Sequence, residues 1–350
     1  MTATGVAASE WTVSNLAGTG VAGFSGDGGP ASATQITDPY GIVRGPDGAI
    51  WFCEHGAHRI RRIAPDGTIS TIAGTGQKGY TGDGGPATQA TFNLPHELRF
   101  DSTGNLYIAD TGNDAVRRVD LKTGVITTFA GNGRKGETGD GGPASGASLS
   151  SPHSIQISSD DTLYICDVPS HVIRRVDLHT GIITTFAGTG KAGPTPDGAP
   201  IIGTPLNNPR SLDVDREGDL WVVTREGNQV FKFDLKAGVI RLVAGTGQPG
   251  FTGNGGPARE AKLSGPKGIT LDAAGNAWLA DTESHTVRMI EPSTGLIKLI
   301  AGTGVKGDGS DGDPLLCAMN RPHGVFADKD GSIFIGDSEA NRIRVLRLKK

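Results

Sequence analysis

Six side chains, each one residue after a proline, carry the candidate chemistry of this sequence. Tyr40, His96, His153, Arg210, Lys267 and His323 follow Pro39, Pro95, Pro152, Pro209, Pro266 and Pro322, which are spaced by 56, 57, 57, 57 and 56 residues. Fourteen positions after each of the six stands Glu54, Asp110, Asp167, Thr224, Asp281 or Asp337. Gathered in one place, these would supply three imidazoles, a phenol, two cations and up to five carboxylates. Two uses suit that set. His96, His153 and His323 with Glu54 suit a divalent ion such as Zn, Mn, Mg or Ca, because imidazole and carboxylate oxygen are its natural ligands. Alternatively, a neutral imidazole beside a cation is a general base at neutral pH, a part for His153 or His323. Arg210 and Lys267 would then hold a substrate carboxylate or a developing oxyanion, and Tyr40 would protonate a leaving group. Lys267 would form a Schiff base if desolvated, but nothing in the sequence shows that desolvation.

Plainer readings stand beside these. An Asp at a strand end commonly satisfies backbone N–H groups of a following turn, which would explain Asp110, Asp167, Asp281 and Asp337. Glu54 and Arg225 break the repeat and are more informative than the positions that keep it. His58, His171 and His285 share an Asn/Ser-His place that reads as turn packing. His179 reads as exposed, and His55 is left open between packing and chemistry. Cys53, Cys166 and Cys317 are too few and too apolar in setting for a disulfide framework and read as small buried residues.

The elements that must position the six follow from the repeat itself. Each proline is followed by an apolar run, a Gly- or Asp-containing turn, and a run such as Leu106-Tyr-Ile-Ala-Asp110 or Leu163-Tyr-Ile-Cys-Asp167. Runs such as Val116-Arg-Arg-Val-Asp120 and Val125-Ile-Thr-Thr-Phe-Ala130 come next. Short stretches rich in Val, Ile, Thr and aromatics, bounded by Gly and Asp, are strands. Four strands repeated six times predict an all-β, six-bladed β-propeller with blades starting near 39, 95, 152, 209, 266 and 322. The last repeat holds three strands, at about 323–328, 332–337 and 342–348. Trp11-Thr-Val-Ser-Asn-Leu-Ala17 matches the missing fourth, so the N-terminal strand completes the last blade and closes the ring. In such a ring the first strand lines the central channel, which brings the six post-proline residues to one mouth.

Composition agrees with a single folded domain over residues 1–350. Hydrophobic residues make up 36%, and the 55 glycines cluster at turns rather than recurring every third position. A net charge of −4 argues against a nucleic-acid partner. The short Arg347, Lys349, Lys350 tail reads as a solvated end. No apolar run reaches membrane-spanning length, so no membrane partner is expected. The Met1-Thr-Ala-Thr-Gly start has no leader character, which predicts a cytoplasmic protein unless a leader has already been removed. A monomer is expected.

The combination Pro, short strand, Asp-Gly, Tyr-Ile-Ala-Asp, Asn/Ser-His, Ile-Arg-Arg-Val and Ala-Gly-Thr-Gly resembles NHL-repeat proteins over nearly the whole chain. Gly26-Asp-Gly-Gly-Pro-Ala31, Gly82-Asp-Gly-Gly-Pro-Ala87 and Gly139-Asp-Gly-Gly-Pro-Ala144 resemble one bacterial subgroup of them. The run from Tyr40 to Glu54 is similar to a repeat of the streptogramin B lyases, propeller enzymes that open a cyclic depsipeptide by elimination with a metal ion, a histidine and a glutamate. Here His and Glu never share a blade. The inventory His96, His153, His323, Tyr40 and Arg210 is also similar to that of peptide-amidating lyase propellers, whose zinc is held by three histidines. The Glu, Asn and Asp metal set of gluconolactonase-type propellers has no match. These resemblances imply a metal-assisted lyase acting on a small or medium substrate bearing a carboxylate or carbonyl. A lactonase- or esterase-type hydrolase at the same mouth and a non-catalytic NHL scaffold binding a peptide or protein are the alternatives. The Gly-Asp-Gly-Gly-Pro loops read as blade-to-blade structure, whereas the irregular loops at 190–200 and 305–314 are candidate substrate contacts.

Overall fold

A computed structural model describes residues 10–349. The Met1 to Gly5 start and Lys350, on which the readings of the leader and the tail partly rest, lie outside the described residues. The described chain forms six antiparallel four-stranded sheets, each a blade. The first strands are Pro39–Arg44, Pro95–Phe100, Pro152–Ile157, Pro209–Val214, Gly268–Leu271 and Gly324–Ala327. Each touches the first strand of the next blade, and blade six returns to blade one. In blades five and six the strand begins two residues after the proline, so Lys267 and His323 sit just ahead of it rather than opening it. Trp11–Ala17 pairs antiparallel with Arg342–Leu348, which makes the N-terminal strand the outer strand of the last blade.

The proline that marks each repeat is tolerated because the first strand is the inner edge of its sheet, where one N–H can be spared. Second strands such as Ile50–Glu54 and Leu106–Asp110 are buried along their whole length. They lie between neighbouring blades and so read as continuous apolar runs rather than alternating ones. The cores sit between blades: Trp51 packs edge-on to Phe100 of the next blade at 5.3 Å between ring centroids, and Trp11 packs edge-on to Trp278 at 5.2 Å. All three cysteines are buried and free.

Neighbouring blades are also joined by a repeated polar lock. The residue before each aligned proline has a left-handed backbone, including Asp38 (φ 46°), Leu94 (φ 58°) and Arg321 (φ 51°). Its N–H has no strand partner and is capped from the preceding blade. His58 Nδ1 accepts from Leu94 N–H at 3.1 Å, His171 Nδ1 from Asn208 N–H at 3.3 Å, and His285 Nδ1 from Arg321 N–H at 3.1 Å. Asp114, Asn228 and Asn341 do the same through Oδ1, and the Asn341 bond to Asp38 N–H closes the ring between blades six and one. The capping residues are themselves left-handed, a conformation Asn and Asp tolerate well. His58, His171 and His285 are therefore blade locks. His171→Asn is expected to be near neutral, whereas His171→Ala, which orphans a backbone donor, costs about 1–3 kcal/mol. Chemical denaturation of the two variants checks this.

Candidate functional site: the ring at the channel mouth

The carboxylates expected at the mouth are elsewhere. Glu54, Asp110, Asp167, Asp281 and Asp337 are 0% exposed. In each, one oxygen accepts a backbone N–H from 17 residues upstream, in the loop before the same blade: Thr37, Asn93, Ser150, Ser264 and Asn320. The turn they serve thus precedes the blade rather than following the strand. In four of the five, the other oxygen meets a buried arginine of the third strand. Arg61 bonds Glu54 at 2.9 Å, Arg117 bonds Asp110 at 3.3 Å, Arg288 bonds Asp281 at 3.3 Å and Arg344 bonds Asp337 at 2.7 Å. The Asp of each Gly-Asp-Gly-Gly-Pro loop clamps the same guanidinium from outside: Asp27 on Arg61, Asp83 on Arg117 and Asp140 on Arg174. That explains the loop motif as blade-to-blade structure. In blade four both partners are exchanged together, Thr224 for the acid and Phe231 for the arginine, so no buried charge is stranded. Glu54, which looked informative because it breaks the repeat, performs the same structural task as the aspartates.

Asp167 is the exception within this set. Arg174 bonds Asp140 and the Ser148 carbonyl, and Asp167 Oδ2 has no hydrogen-bond partner. Burial pushes its carboxyl up to about 7, against the pull of the Ser150 N–H and Arg174. A raised acid supports the fold in its neutral form. That support is complete below the ordinary carboxylate range near 4 and is lost as pH rises through about 7. Asp167→Asn should therefore be more stable than the wild type by about 1–3 kcal/mol at pH 8 and show no advantage at pH 4, read from thermal or denaturant unfolding at the two pH values.

The six post-proline side chains do gather, and a seventh joins them. His55, left open by its sequence, stacks on Tyr40 at 4.1 Å between ring centroids, and His323 stacks on the same ring at 4.2 Å. His96 stands edge-on to Tyr40 at 4.7 Å and to His153 at 4.9 Å. Arg210 reaches from blade four to His96 of blade two, with Nη2 2.9 Å from Nε2. Lys267 Nζ lies 3.2 Å from His323 Nε2 and 2.9 Å from a Glu283 oxygen. His96, Arg210, Lys267 and His323 are only 5 to 6% exposed. Beneath them a cavity of about 10 Å³ is lined by Tyr40, His96, Glu97, Ser211, Lys267 and His323. That is room for one water at most.

Hydrogen bonding fixes the tautomers. A guanidinium only donates, so His96 Nε2 accepts from Arg210 and the ring proton sits on Nδ1. His323 Nδ1 lies 2.9 Å from the Arg321 carbonyl and donates to it, which leaves Nε2 to accept from Lys267. His153 Nδ1 likewise donates to the Ser151 carbonyl at 2.6 Å, making Nε2 its basic nitrogen. Burial, then the neighbouring cations, hold His96 and His323 well below the usual histidine range, and burial takes His55 down to about 4. These rings are neutral at pH 7. Burial takes Lys267 down to about 8 and Arg210 down to about 9. Burial also pushes Tyr40 up to about 12, so its hydroxyl keeps its proton.

Two donors in this ring have no acceptor: His96 Nδ1 and Arg210 Nη1 are both buried without a partner. Arg210 also makes no ion pair with a carboxylate among the described residues, whereas Lys267 has Glu283. Glu283 in turn bonds Arg321 at 2.7 Å, and Arg321 bonds Glu339 at 2.5 Å, forming an outer rim. Lys306, from the irregular loop before blade six, reaches Glu339 at 3.2 Å, so that loop does contribute to the mouth. Below the ring, Glu97 pairs with Arg99 at 2.6 Å, and Arg99 bonds Gln156, which bonds Asp213. The sequence signal for this lower layer was the polar alternation of Glu97 and Arg99 around Leu98. For the rim the signal was the Glu that recurs two residues beyond the strand-two end in blades four to six, Glu226, Glu283 and Glu339.

The ring does not suit a divalent cation. Glu54 is committed to Arg61 and Thr37, and the Nε2 lone pairs of His96 and His323 face Arg210 and Lys267. Among the described residues no three His, Cys, Asp or Glu side chains converge as a metal site. The quartet His96, His153, His323 and Glu54 expected from the sequence is therefore not assembled. What remains is a neutral aromatic ring crossed by two cations, which suits an anion.

This architecture defines a six-bladed β-propeller carrying the NHL repeat, whose family model matches residues 319–346. Among curated proteins, the chain is 31% identical to NHL repeat-containing protein 2 of Gallus gallus, over 72% of this chain and 38% of that protein. It is 29% identical to SUPPRESSOR OF QUENCHING 1 of Arabidopsis thaliana, over 81% of this chain and 27% of that protein. The chain thus spans well under half the length of these relatives. Among solved structures, a virginiamycin B lyase from Staphylococcus aureus superposes with a TM-score of 0.55 at 19% identity, covering 90% of this chain and 84% of that one, a likeness of fold. No helix among the described residues is long and apolar enough to cross a membrane.

Proposed function

We propose that this propeller binds a small organic carboxylate at the channel mouth and acts on the carbon next to it as a lyase. The observation that carries the reading is the orphaned, buried donor Arg210 Nη1, on a guanidinium with no carboxylate counter-ion among the described residues. Burying such a charge is costly unless an anion meets it. On a bound carboxylate, Arg210 stabilises negative charge that spreads toward the carboxyl group as a neighbouring proton leaves. His153 supplies a basic Nε2 to take that proton, and protonated Tyr40 supplies one to the departing alkoxide, giving a carbon–oxygen elimination. No step needs a metal ion. The likeness to the lyase supports only the suitability of the scaffold.

A second reading, a recognition module without turnover, is favoured by the tight ring packing around a cavity of about 10 Å³ and by relatives in which the matched region is one part of a longer protein. The two are separated by one experiment. The protein is incubated with a panel of 2- and 3-hydroxy, acyloxy and unsubstituted carboxylates, followed by calorimetry and proton NMR. Binding with loss of the oxygen substituent supports the lyase, and binding without turnover supports the module. Absence of any carboxylate binding removes both.

A further inference from the structure

We infer that Lys267 is a carbonyl-capturing amine that forms an imine with a 2-oxo carboxylate whose carboxylate group is held by Arg210. This rests on the carboxylate-binding reading above and names the substrate class more closely. Sequence alone left Lys267 without the desolvation that such chemistry needs, and the fold supplies it. Its side chain is 5% exposed, at the first position of blade five, next to blade four, whose equivalent residue is Arg210. It lines the same small cavity as His96 and His323. Its Nζ has two neighbours of opposite use. His323 Nε2 can only accept, because Nδ1 is committed to the Arg321 carbonyl, so it orients Nζ through a hydrogen bond without adding charge. Glu283 holds the charged form and belongs to a rim that is about one-third exposed, and an incoming carboxylate competes with it for the local cations.

The step balances without an external oxidant or reductant. The neutral amine of Lys267, populated near pH 8, bonds the carbonyl carbon through its nitrogen lone pair as the C=O π bond opens, and one proton passes from that nitrogen to the oxygen to give a carbinolamine. Tyr40, stacked on His323, is the nearby acid that assists loss of the hydroxyl as water, leaving a C=N bond. In a 2-oxo acid the carboxylate and carbonyl carbons are bonded directly, so the anchor and the amine must reach neighbouring carbons, and Arg210 and Lys267 hold equivalent positions on adjacent blades. A lysine lowered to about 8 also holds roughly two orders of magnitude more neutral amine at pH 7 than an ordinary surface lysine.

The test is reductive trapping on the full chain. Protein is incubated with pyruvate or glyoxylate and cyanoborohydride at pH 7.5, then digested and mapped by mass spectrometry, with acetone as the carbonyl lacking a carboxylate. The expected result is carboxyalkylation of Lys267 at least about tenfold faster than of any other lysine, little reaction with acetone, and a drop of about tenfold or more in Arg210→Met. Lys267→Arg, which keeps the charge and the rim contacts, should lose the label while retaining carboxylate binding by calorimetry. Label spread evenly over surface lysines, or none on Lys267 while carboxylates still bind, overturns the imine and leaves the carboxylate site standing. Neither label nor binding overturns both.

Discussion

Replacing Arg210 with methionine is expected to move binding and stability in opposite directions. Carboxylate affinity should fall by about 10²-fold or more, the usual consequence of removing the charged partner of a buried, hydrogen-bonded anion. Folding stability should hold or rise, because the variant removes a 94%-buried guanidinium, 6% exposed, that no protein carboxylate neutralises. Only the neutral His96 Nε2 loses its donor, whereas removing an arginine of a buried ion pair would strand a charge. Calorimetric titration with pyruvate or acetate, paired with thermal unfolding in the absence of ligand, reads both quantities on one preparation. A variant that loses stability and keeps its affinity would make Arg210 a packing residue.

The second large effect lies in the blades. Arg117→Ala leaves Asp110 buried with its charge uncompensated and is expected to cost about 3–5 kcal/mol. The combined change Asp110→Thr with Arg117→Phe installs the pair that blade four already uses, Thr224 with Phe231, and should recover most of that loss. The outer clamp, Asp83, is half exposed and tolerates being left to solvent. A double-mutant cycle by denaturant unfolding checks the coupling. If the double variant is as unstable as Arg117→Ala alone, blade four's solution depends on more than these two positions.

Much of the ring was legible before any coordinates, because propeller geometry follows from the repeat. The spacing of the prolines set the blades, and Trp11–Ala17 announced its own role by ending in the Ala-Gly of a fourth strand. The convergence of Tyr40, His96, His153, Arg210, Lys267 and His323 followed from the same symmetry. What the repeat concealed was direction. The acids at the strand-two ends are 14 residues from the ring positions in five blades, yet in four of these their side chains turn between blades toward arginines seven residues further on. Sequence spacing puts residues at one end of a blade but does not say on which side of the sheet a side chain leaves. The metal set failed for that reason: Glu54 lies on the blade interface, and cations rather than carboxylates face the imidazoles. His55 takes the place that Thr111, Thr282 and Ser338 hold in other blades, bonding the next blade's proline carbonyl, and its ring adds a stack on Tyr40 that the repeat does not announce.

An anion site at the channel mouth would be anchored by Arg210 Nη1, a buried donor without an acceptor. A crystal structure of the protein soaked in pyruvate or acetate tests it most directly. The expected result is a carboxylate on Arg210 Nη1 at the mouth, with Arg210 Nη2 still on His96 Nε2. Density for a metal ion held by His96, His153 and His323, or a mouth that stays free of carboxylate while Arg210 Nη1 bonds a protein acceptor, would contradict it.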